Sequence, residues 1–249
     1  MPSPNSLPER LSHKVVRSFF PGRLVDIEPT RPIVSFSFDD VPVSALENGA
    51  AILEKHGARG TFFVAGGIAG ATHDGQVMLG TAGYRELYER GHEIGNHTFS
   101  HRTPWNLGGR YETDIAQNDN YLAEIVERPT RNFAFPYGRS SITARDLAKR
   151  RFRSARGVQT GVNRRDTDLY LLNAVGMEGH MRAGDLVKWV DDVVTAPGWL
   201  IFLTHDVKEE PSPYGTTPAI LDEVVSVAVA AGCEILTIDA ALDRLRVRP

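Results

Sequence analysis

From Ile33 onward the chain alternates short β-type runs with helical segments, and this alternation limits the fold more than any other feature. Residues 33–38 form an apolar run rich in β-branched and aromatic side chains, and apolar residues of 45–55 recur at helical spacing. The same order repeats along the chain. Further predicted strands are 61–64, 92–96, 133–135, 170–175, 199–203 and 234–237, and further predicted helices are 84–89, 114–127, 144–150, 183–195, 219–231 and 240–245. Strands separated by helices and short connections indicate a parallel sheet covered by helices.

Seven or eight such units fit a closed or nearly closed (β/α) barrel, which typically needs about 200–250 residues. A doubly wound open sheet is the alternative, but no G-x-G-x-x-G turn follows the first predicted strand. The prediction is therefore an α/β fold with one barrel domain at 33–249. Residues 1–32 are rich in Pro, Arg and Ser without a sustained period, so they are predicted to be an N-terminal arm.

Composition excludes several functional classes. The 28 basic and 31 acidic residues give a net charge of -3, which provides no overall basic field for nucleic acid. Cys233 is the only cysteine, so an intrachain disulfide and a cysteine-rich metal site are excluded. No apolar run approaches the roughly 18–20 residues that cross a bilayer, and 18–21 is too short for the apolar region of a signal peptide. We expect no membrane partner and a cytoplasmic location, with the oligomeric state, a homo-oligomer included, left open.

Functional groups of a parallel barrel gather at the carboxyl ends of its strands. Asp39 and Asp40 follow the first predicted strand. Two adjacent carboxylates at the exit of a buried strand are costly unless a cation lies nearby. They could instead stabilise the amino terminus of the helix that begins near Ser44. Taken alone, the pair leaves both interpretations open.

Three further strand ends carry candidate groups. His97 and His101 follow the strand 92–96, the turn Pro136–Gly138 follows 133–135, and His205 follows 199–203. Each has an ordinary alternative: a surface histidine pair, a strand-terminating turn, or a histidine at the rim of the core. In combination, one carboxylate and two imidazoles form a ligand set for Zn²⁺, Co²⁺ or Ni²⁺ with positions left open. A second carboxylate as base and a third histidine as acid complete the groups needed for metal-assisted hydrolysis of an acyl bond.

With these motifs in order, the sequence resembles the polysaccharide deacetylase family with the NodB homology domain (carbohydrate esterase family 4) over roughly 33–240. Ser37–Asp40 matches the first motif, with Val41 where the family usually has Gly. His97–His101 matches the second motif, H-[ST]-x-x-H, completely. Pro136–Gly138 matches the third in part, because Ala134 replaces an arginine, and Leu203–His205 matches the closing motif.

The resemblance implies a distorted (β/α) barrel of seven or eight strands that hydrolyses an acetylated sugar or polysaccharide. It implies a divalent metal ion, zinc first with cobalt or nickel as alternatives. The roles it implies are metal binding by Asp40, His97 and His101, general base for Asp39, general acid for His205, and an oxyanion contact from the Tyr137 N–H. Trp105, Pro136 and Tyr137 are the candidates for contact with substrate.

Two departures from the family pattern bear on the site. The arginine missing at Ala134 orients the base in the family, and we consider Arg139 or Arg102 as substitutes. A fourth motif, D-x-x-D-W, is not found, because Asp185 stands at the wrong spacing from Trp189. The side chain of Val41, where the family usually has Gly, is expected to add volume to the turn beside the metal and to narrow the range of substrates. Four other histidines are expected to be solvated rather than to act as ligands: His56, His73, His92 and His180.

Two other functions compete with a sugar deacetylase. A cytoplasmic amidase or imidase of the same fold would act on a small, cyclic amide, which the altered third motif favours. A catalytically weakened, carbohydrate-binding relative is the other alternative, although retention of both aspartates and three histidines argues against it. A closed pocket would support the amidase, and a wide sugar-lined groove would oppose it.

Overall fold

The computed structural model of the protein describes residues 22–247. The predicted arm, 1–32, therefore lies partly outside the described residues. Its described part lies against the barrel, because β1 (Leu24–Val25) pairs in antiparallel register with β9 (Thr167–Asp168) and Ile27 is fully buried.

One curved sheet of eight strands forms the scaffold. Seven of them lie in the order β10 (Val175–Gly176), β11 (Trp199–Thr204), β2 (Ile33–Asp39), β3 (Thr61–Val64), β6 (Glu93–Asn96), β7 (Asn132–Ala134) and β8 (Ser154–Arg156). Neighbouring strands run parallel throughout. The eighth strand, β12 (Glu234–Ile235), pairs with the first residues of β2. A parallel bridge from Arg156 to Leu172 brings the segment before β10 to β8, so the sheet curves into a distorted barrel, as predicted.

Helices cover the outside of this sheet. A π-helical segment, Ala45–Ala50, continues into α1 (Ala51–Lys55). The other helices are α2 (Thr81–Glu89), α3 (Pro104–Leu107), α4 (Tyr111–Ala123), α5 (Ile142–Arg151), α6 (Ala183–Thr195), α7 (Pro218–Ala230) and α8 (Ile238–Arg244). A small hairpin of β4 (Thr72–His73) and β5 (Gln76–Val77) projects between β3 and α2. None of the helices within residues 22–247 has the length and apolarity needed to span a membrane.

Alternation along β2 separates the two faces of the sheet. Val34, Phe36 and Phe38 belong to the apolar cluster that contacts α6 and α7. The intervening side chains Ser35, Ser37 and Asp39 point to the opposite face and are also buried. A strand buried on both faces is typical of parallel sheets. The small serines leave room inside the barrel, and the indole N–H of Trp199 donates a hydrogen bond to the Ser35 hydroxyl at 2.9 Å.

The prediction of a strand at 170–175 was wrong for most of its length, since only Val175 belongs to a strand, β10, and Leu172 makes an isolated bridge to Arg156 of β8. Strand β8 was not predicted. Its three residues, Ser154, Ala155 and Arg156, show neither apolar alternation nor β-branched side chains, so the pattern carries no strand signal. Tertiary contacts inside the barrel determine this strand.

Substitution of Ser35 by alanine should lower the free energy of unfolding by about 1–3 kcal/mol, because the buried indole N–H of Trp199 loses its acceptor. Ser37 is the matched control: its hydroxyl donates to the Phe202 carbonyl, which belongs to the β2–β11 ladder. S37A should therefore cost about 1 kcal/mol or less. Urea unfolding followed by tryptophan fluorescence measures both. Equal losses for the two variants would contradict the assigned Trp199–Ser35 bond.

Candidate active site and metal centre

A sharp backbone turn at the end of β2 presents the two aspartates. Asp39 ends the strand, and Asp40 and Val41 both have positive φ angles, 59° and 58°. This conformation is costly for a β-branched residue such as Val41, and such strain persists where the surrounding structure enforces it. Val41 packs in the apolar core with Ala45 and Leu46 rather than in the wall of the cavity. The Val41 side chain therefore does not line the cavity, and its effect on the substrate range stays a prediction.

Three predicted metal ligands lie together beside this turn. One ligand atom from each of Asp40, His97 and His101 lies within 4.8 Å of the others. Oδ1 of Asp40 is 3.1 Å from Nε2 of His101 and 3.6 Å from Nε2 of His97. Bonds of about 2.0–2.2 Å to a single ion place ligand atoms at about these separations. Oδ1 of Asp40 is buried without a hydrogen-bond donor, so the donor set fits a divalent cation.

Both imidazoles are held neutral, which is the form that can bind a metal ion. Nδ1 of His97 donates to the Ala134 carbonyl at 2.8 Å, which leaves the Nε2 lone pair facing the aspartates. Burial lowers the pKa of His97 to about 4, and burial together with nearby His73 lowers that of His101 to about 4. Burial raises the pKa of Asp40 even though His97 and His205 oppose the shift. A bound cation would supply the positive charge that favours the Asp40 carboxylate.

Asp39 has a different partner. Nη2 of Arg156 donates to both of its oxygens, at 2.5 and 2.6 Å, and Arg156 is fully buried. Burial raises the pKa of Asp39, but Arg156, with His97 and His205, outweighs it, so that the pKa falls below its ordinary value. Asp39 is therefore a carboxylate at neutral pH, and a carboxylate accepts protons.

The arginine on Asp39 is neither of the two considered from the sequence. Arg156 belongs to β8 and pairs in register with Ala134 of β7, the position at which the family arginine is missing. Arg139 lies in the wall of the same cavity. The contact between Arg156 and Asp39 could have been predicted only if β8 had been recognised as a strand next to β7.

His205 and Tyr137 face the same cavity from other strand ends. Nδ1 of His205 donates to the Tyr214 carbonyl at 3.3 Å, and its Nε2 lies 4.0 Å from Oδ2 of Asp40. Tyr137 has a φ of 56°, and its ring centroid is 4.7 Å from that of His101. Gly138 follows with a φ of 62° and lies against Val158, where a Cβ would clash. Burial and nearby Asp40 raise the pKa of the Tyr137 phenol to about 12, so it remains protonated.

The other predicted substrate contacts lie away from this centre. Within the described residues, the wall of the cavity includes Tyr137 but not Trp105 or Pro136. The Trp105 side chain is half exposed and follows the second motif in α3, whereas Pro136 is buried at the start of the turn Pro136–Gly138. Their roles as substrate contacts stay predictions.

The cavity has a volume of about 610 Å³, and two segments outside the regular strands and helices of the barrel form part of its wall. One is the β4–β5 hairpin, and the other is the loop 206–216. Nζ of Lys208 donates to Oε1 of Gln76 at 2.8 Å and joins them. Buried Asp206 accepts hydrogen bonds from the backbone N–H and the hydroxyl of Ser212, which fixes the loop.

Three of the four histidines expected in solvent have other positions. The His56 side chain is only 17% exposed, and its Nε2 lies 2.7 Å from Oδ1 of Asp222. His73 lines the cavity with its ring centroid 5.4 Å from that of His101. His92 is buried and hydrogen-bonded to Glu54 through Nε2, while its Nδ1 accepts from the Gly60 N–H. His180 is exposed, as expected. The sequence gives no signal for His73, because a hairpin outside the regular strand–helix alternation brings it to the site.

Comparison with known proteins identifies the family. The model of the polysaccharide deacetylase family matches residues 26–151, just over half of the chain. The chain belongs to the polysaccharide deacetylase family. A chitin deacetylase of Arthroderma benhamiae is 29% identical over 122 residues, which are 48% of this chain and 32% of that protein. The matched region thus spans about a third of the length of that relative.

Solved structures extend the likeness to nearly the whole fold. The carbohydrate esterase domain of a xylanase from the hindgut metagenome of Trinervitermes trinervoides has a TM-score of 0.61 at 16% identity, covering 88% of this chain and 94% of that one. A family 4 acetyl xylan esterase from Clostridium thermocellum, in complex with cobalt, has a TM-score of 0.60 at 24% identity, covering 85% and 90%. At these identities the comparison establishes the fold, and it confirms the distorted barrel.

The site predicts binding of one divalent ion per chain, with Zn²⁺ and Co²⁺ as probes. H101A should weaken Zn²⁺ binding by about 100-fold or more. Loss of a residue that only hydrogen-bonds a metal ligand already costs about 10–100-fold in metal affinity, and loss of the ligand itself should cost more. Protonation of the two imidazoles should compete with the ion only as the pH falls towards about 4. Calorimetric titration of the metal-free protein measures affinity, and H180A is the control because His180 is exposed. Unchanged affinity in H101A would remove this histidine from the ligand set.

Proposed function

We propose that the protein is a metal-dependent hydrolase that removes the acetyl group from an N-acetylated sugar. The observation that carries the proposal is a single cavity lined by the possible ligand set, by the separately paired Asp39 carboxylate and by His205. Family membership supports this reaction class, since polysaccharide deacetylases are hydrolases of carbon–nitrogen bonds other than peptide bonds. The name of the chitin deacetylase relative supports an N-acetylated sugar as substrate.

Asp40, His97 and His101 would hold the cation. Such an ion polarises the acyl carbonyl and lowers the pKa of water, typically towards 7 for zinc. Asp39 would accept the proton of the attacking water, because Arg156 keeps it ionised and fixes its direction. General-base catalysis of this kind typically contributes about 10²–10⁴-fold to the rate.

His205 would donate a proton to the departing amine. The Tyr214 carbonyl can only accept, so Nδ1 of His205 carries a proton and Nε2 is the atom that gains and releases one. Amide hydrolysis depends on this step because an amide anion is a poor leaving group. Ester hydrolysis depends on it less, since an alkoxide leaves more readily.

The backbone N–H of Tyr137 would donate a hydrogen bond to the oxyanion of the tetrahedral intermediate. The N–H groups of Gly138 and Arg139 donate to the carbonyls of Phe135 and Pro136 and hold the turn closed. The left-handed conformation of Tyr137 orients its peptide plane differently from that of an ordinary turn. Loss of one oxyanion donor typically costs about 10²–10³-fold in rate.

A small amide is the second candidate substrate. The bounded cavity favours it, because the Lys208–Gln76 contact closes one side where a long polysaccharide would need an open groove. The exposed rings of Tyr137 and Tyr214 at the same cavity suit stacking on a sugar and favour the first candidate.

The cytoplasmic location and the homo-oligomer stay predictions.

Acetate release tests the proposal. The zinc-loaded protein should release acetate from N-acetylglucosamine oligomers, and D39N should lose activity by about 10²–10⁴-fold while retaining the ion, because Asp39 acts as base and not as ligand. Ring opening of cyclic imides is assayed in parallel. Imide turnover without acetate release would favour the second candidate, and full activity of D39N would remove Asp39 from the mechanism.

His205→Asn should separate amide from ester substrates. Because the acid is needed mainly for an amine leaving group, the kcat for an N-acetyl sugar should fall about 10²-fold or more and that for an activated acetyl ester much less. The asparagine retains a side-chain polar group near the Tyr214 carbonyl. Equal losses on both substrates would contradict the assignment of His205 as general acid.

A further inference from the structure

We propose that Asp206 and Ser212 are positioning residues for His205, the general acid of the proposed function, on which this inference rests. Together they hold the loop 206–216 in a shape that places the Tyr214 carbonyl at Nδ1 of His205. A loop outside the regular strands and helices of the barrel thereby orients the side chain that protonates the departing amine.

The contacts that orient His205 converge on one backbone group. The Tyr214 carbonyl accepts hydrogen bonds from Nδ1 of His205 at 3.3 Å and from its backbone N–H at 3.2 Å. The His205 side chain is 26% exposed, so packing restrains its ring less than it would in the core. The direction of Nε2, which faces Asp40, therefore depends on where the loop places this carbonyl.

The loop is folded around the buried carboxylate of Asp206. Oδ2 of Asp206 accepts from the backbone N–H of Ser212 at 2.8 Å, and Oδ1 accepts from the Ser212 hydroxyl at 2.5 Å. Nζ of Lys208 lies 3.8 Å from Oδ2 and compensates part of the charge. A Cβ at Gly215 would clash with the carboxylate, so the chain passes directly against it. Because a buried carboxylate is costly without such donors, the loop is held closed on it.

Ser212 links this carboxylate to the residue that holds His205. Its hydroxyl donates to Asp206 and accepts from the backbone N–H of Tyr214 at 3.3 Å. The Ser212 carbonyl accepts from the Gly215 N–H at 3.0 Å and closes the turn around Tyr214. Tyr214 is thus held through its N–H by Ser212, and its carbonyl holds His205. The hydrogen bonds form a continuous path from the buried carboxylate to the imidazole.

Orientation of the acid affects two classes of substrate unequally. An amine leaving group needs the proton from His205, whereas nitrophenolate leaves without one. Loss of the path should therefore lower kcat for an N-acetyl sugar and spare kcat for para-nitrophenyl acetate. Ser212 also lines the cavity, and a direct contact with substrate would instead change KM. A general loosening of the site would lower kcat for both substrates.

The experiment measures kcat and KM of the zinc-loaded protein on N-acetylglucosamine oligomers and on para-nitrophenyl acetate. S212A and D206N should lower kcat on the oligomers by about 10-fold or more, because a displacement of about 1 Å can cost about 10²-fold. Their kcat on the ester should stay within about threefold of wild type. S212T keeps the hydroxyl and should recover most of the loss. E210A is the matched control, because Glu210 is exposed on the same loop.

A double variant separates positioning from a merely structural role. S212A/H205N should have the same kcat on the oligomers as H205N, because Ser212 acts only through His205. A structural defect would lower kcat in both backgrounds. Zinc affinity should be unchanged in S212A, since the loop carries none of the candidate ligands. If D206N does not fold, S212A decides alone, because the Ser212 side chain is only half-buried.

An amide-to-ester ratio of kcat within about threefold of wild type in S212A would overturn the inference, as would a further loss in S212A/H205N. Equal losses of H205N on both substrates would overturn it too, because His205 would not be the acid. A wild type that hydrolyses the ester but releases no acetate from the oligomers would instead overturn the proposed function.

Discussion

Two neighbouring carboxylates are buried at the end of the central strand of the barrel, and the site is organised around the need to compensate them. Asp39 and Asp40 are 4% and 7% exposed, and an isolated carboxylate at such a position would be strongly destabilising. The protein compensates each one differently. Arg156 supplies a full positive charge to Asp39, whereas Asp40 faces the imidazoles of His97 and His101.

The scaffold explains how charges can be held so rigidly. Asp39 follows Ser35 and Ser37 on the interior face of β2, so the lower layers of the barrel contain small hydroxyl groups and the last layer carries the carboxylate. Parallel strands of a barrel end at one rim, which brings groups from distant parts of the chain to one place. The contact between Asp39 and Arg156 joins residues 117 positions apart. It crosses the interior between β2 and β8, strands that β3, β6 and β7 separate within the sheet.

Part of the cavity wall comes from segments that the family pattern does not describe. The β4–β5 hairpin and the loop 206–216 supply His73, Gln76 and Tyr214 to the cavity, and both lie outside the four recognisable motifs. Loops on a shared scaffold commonly determine the substrate while the rim residues determine the chemistry. Relatives of similar fold at 16–24% identity are consistent with this division.

The amino-acid sequence by itself determined the strand–helix order, the parallel barrel and the candidate ligands, because these are encoded locally. Apolar spacing reveals strands such as Thr61–Val64 and helices such as Ala183–Thr195, and His97 and His101 lie four positions apart on one short segment. Only the tertiary structure decided which arginine meets Asp39 and which extra histidine reaches the cavity. The strand that holds Arg156 has no apolar period, and its side chain is buried because a carboxylate from across the barrel pairs with it. Such a pairing depends on the curvature of the sheet, which no local spacing of residues records.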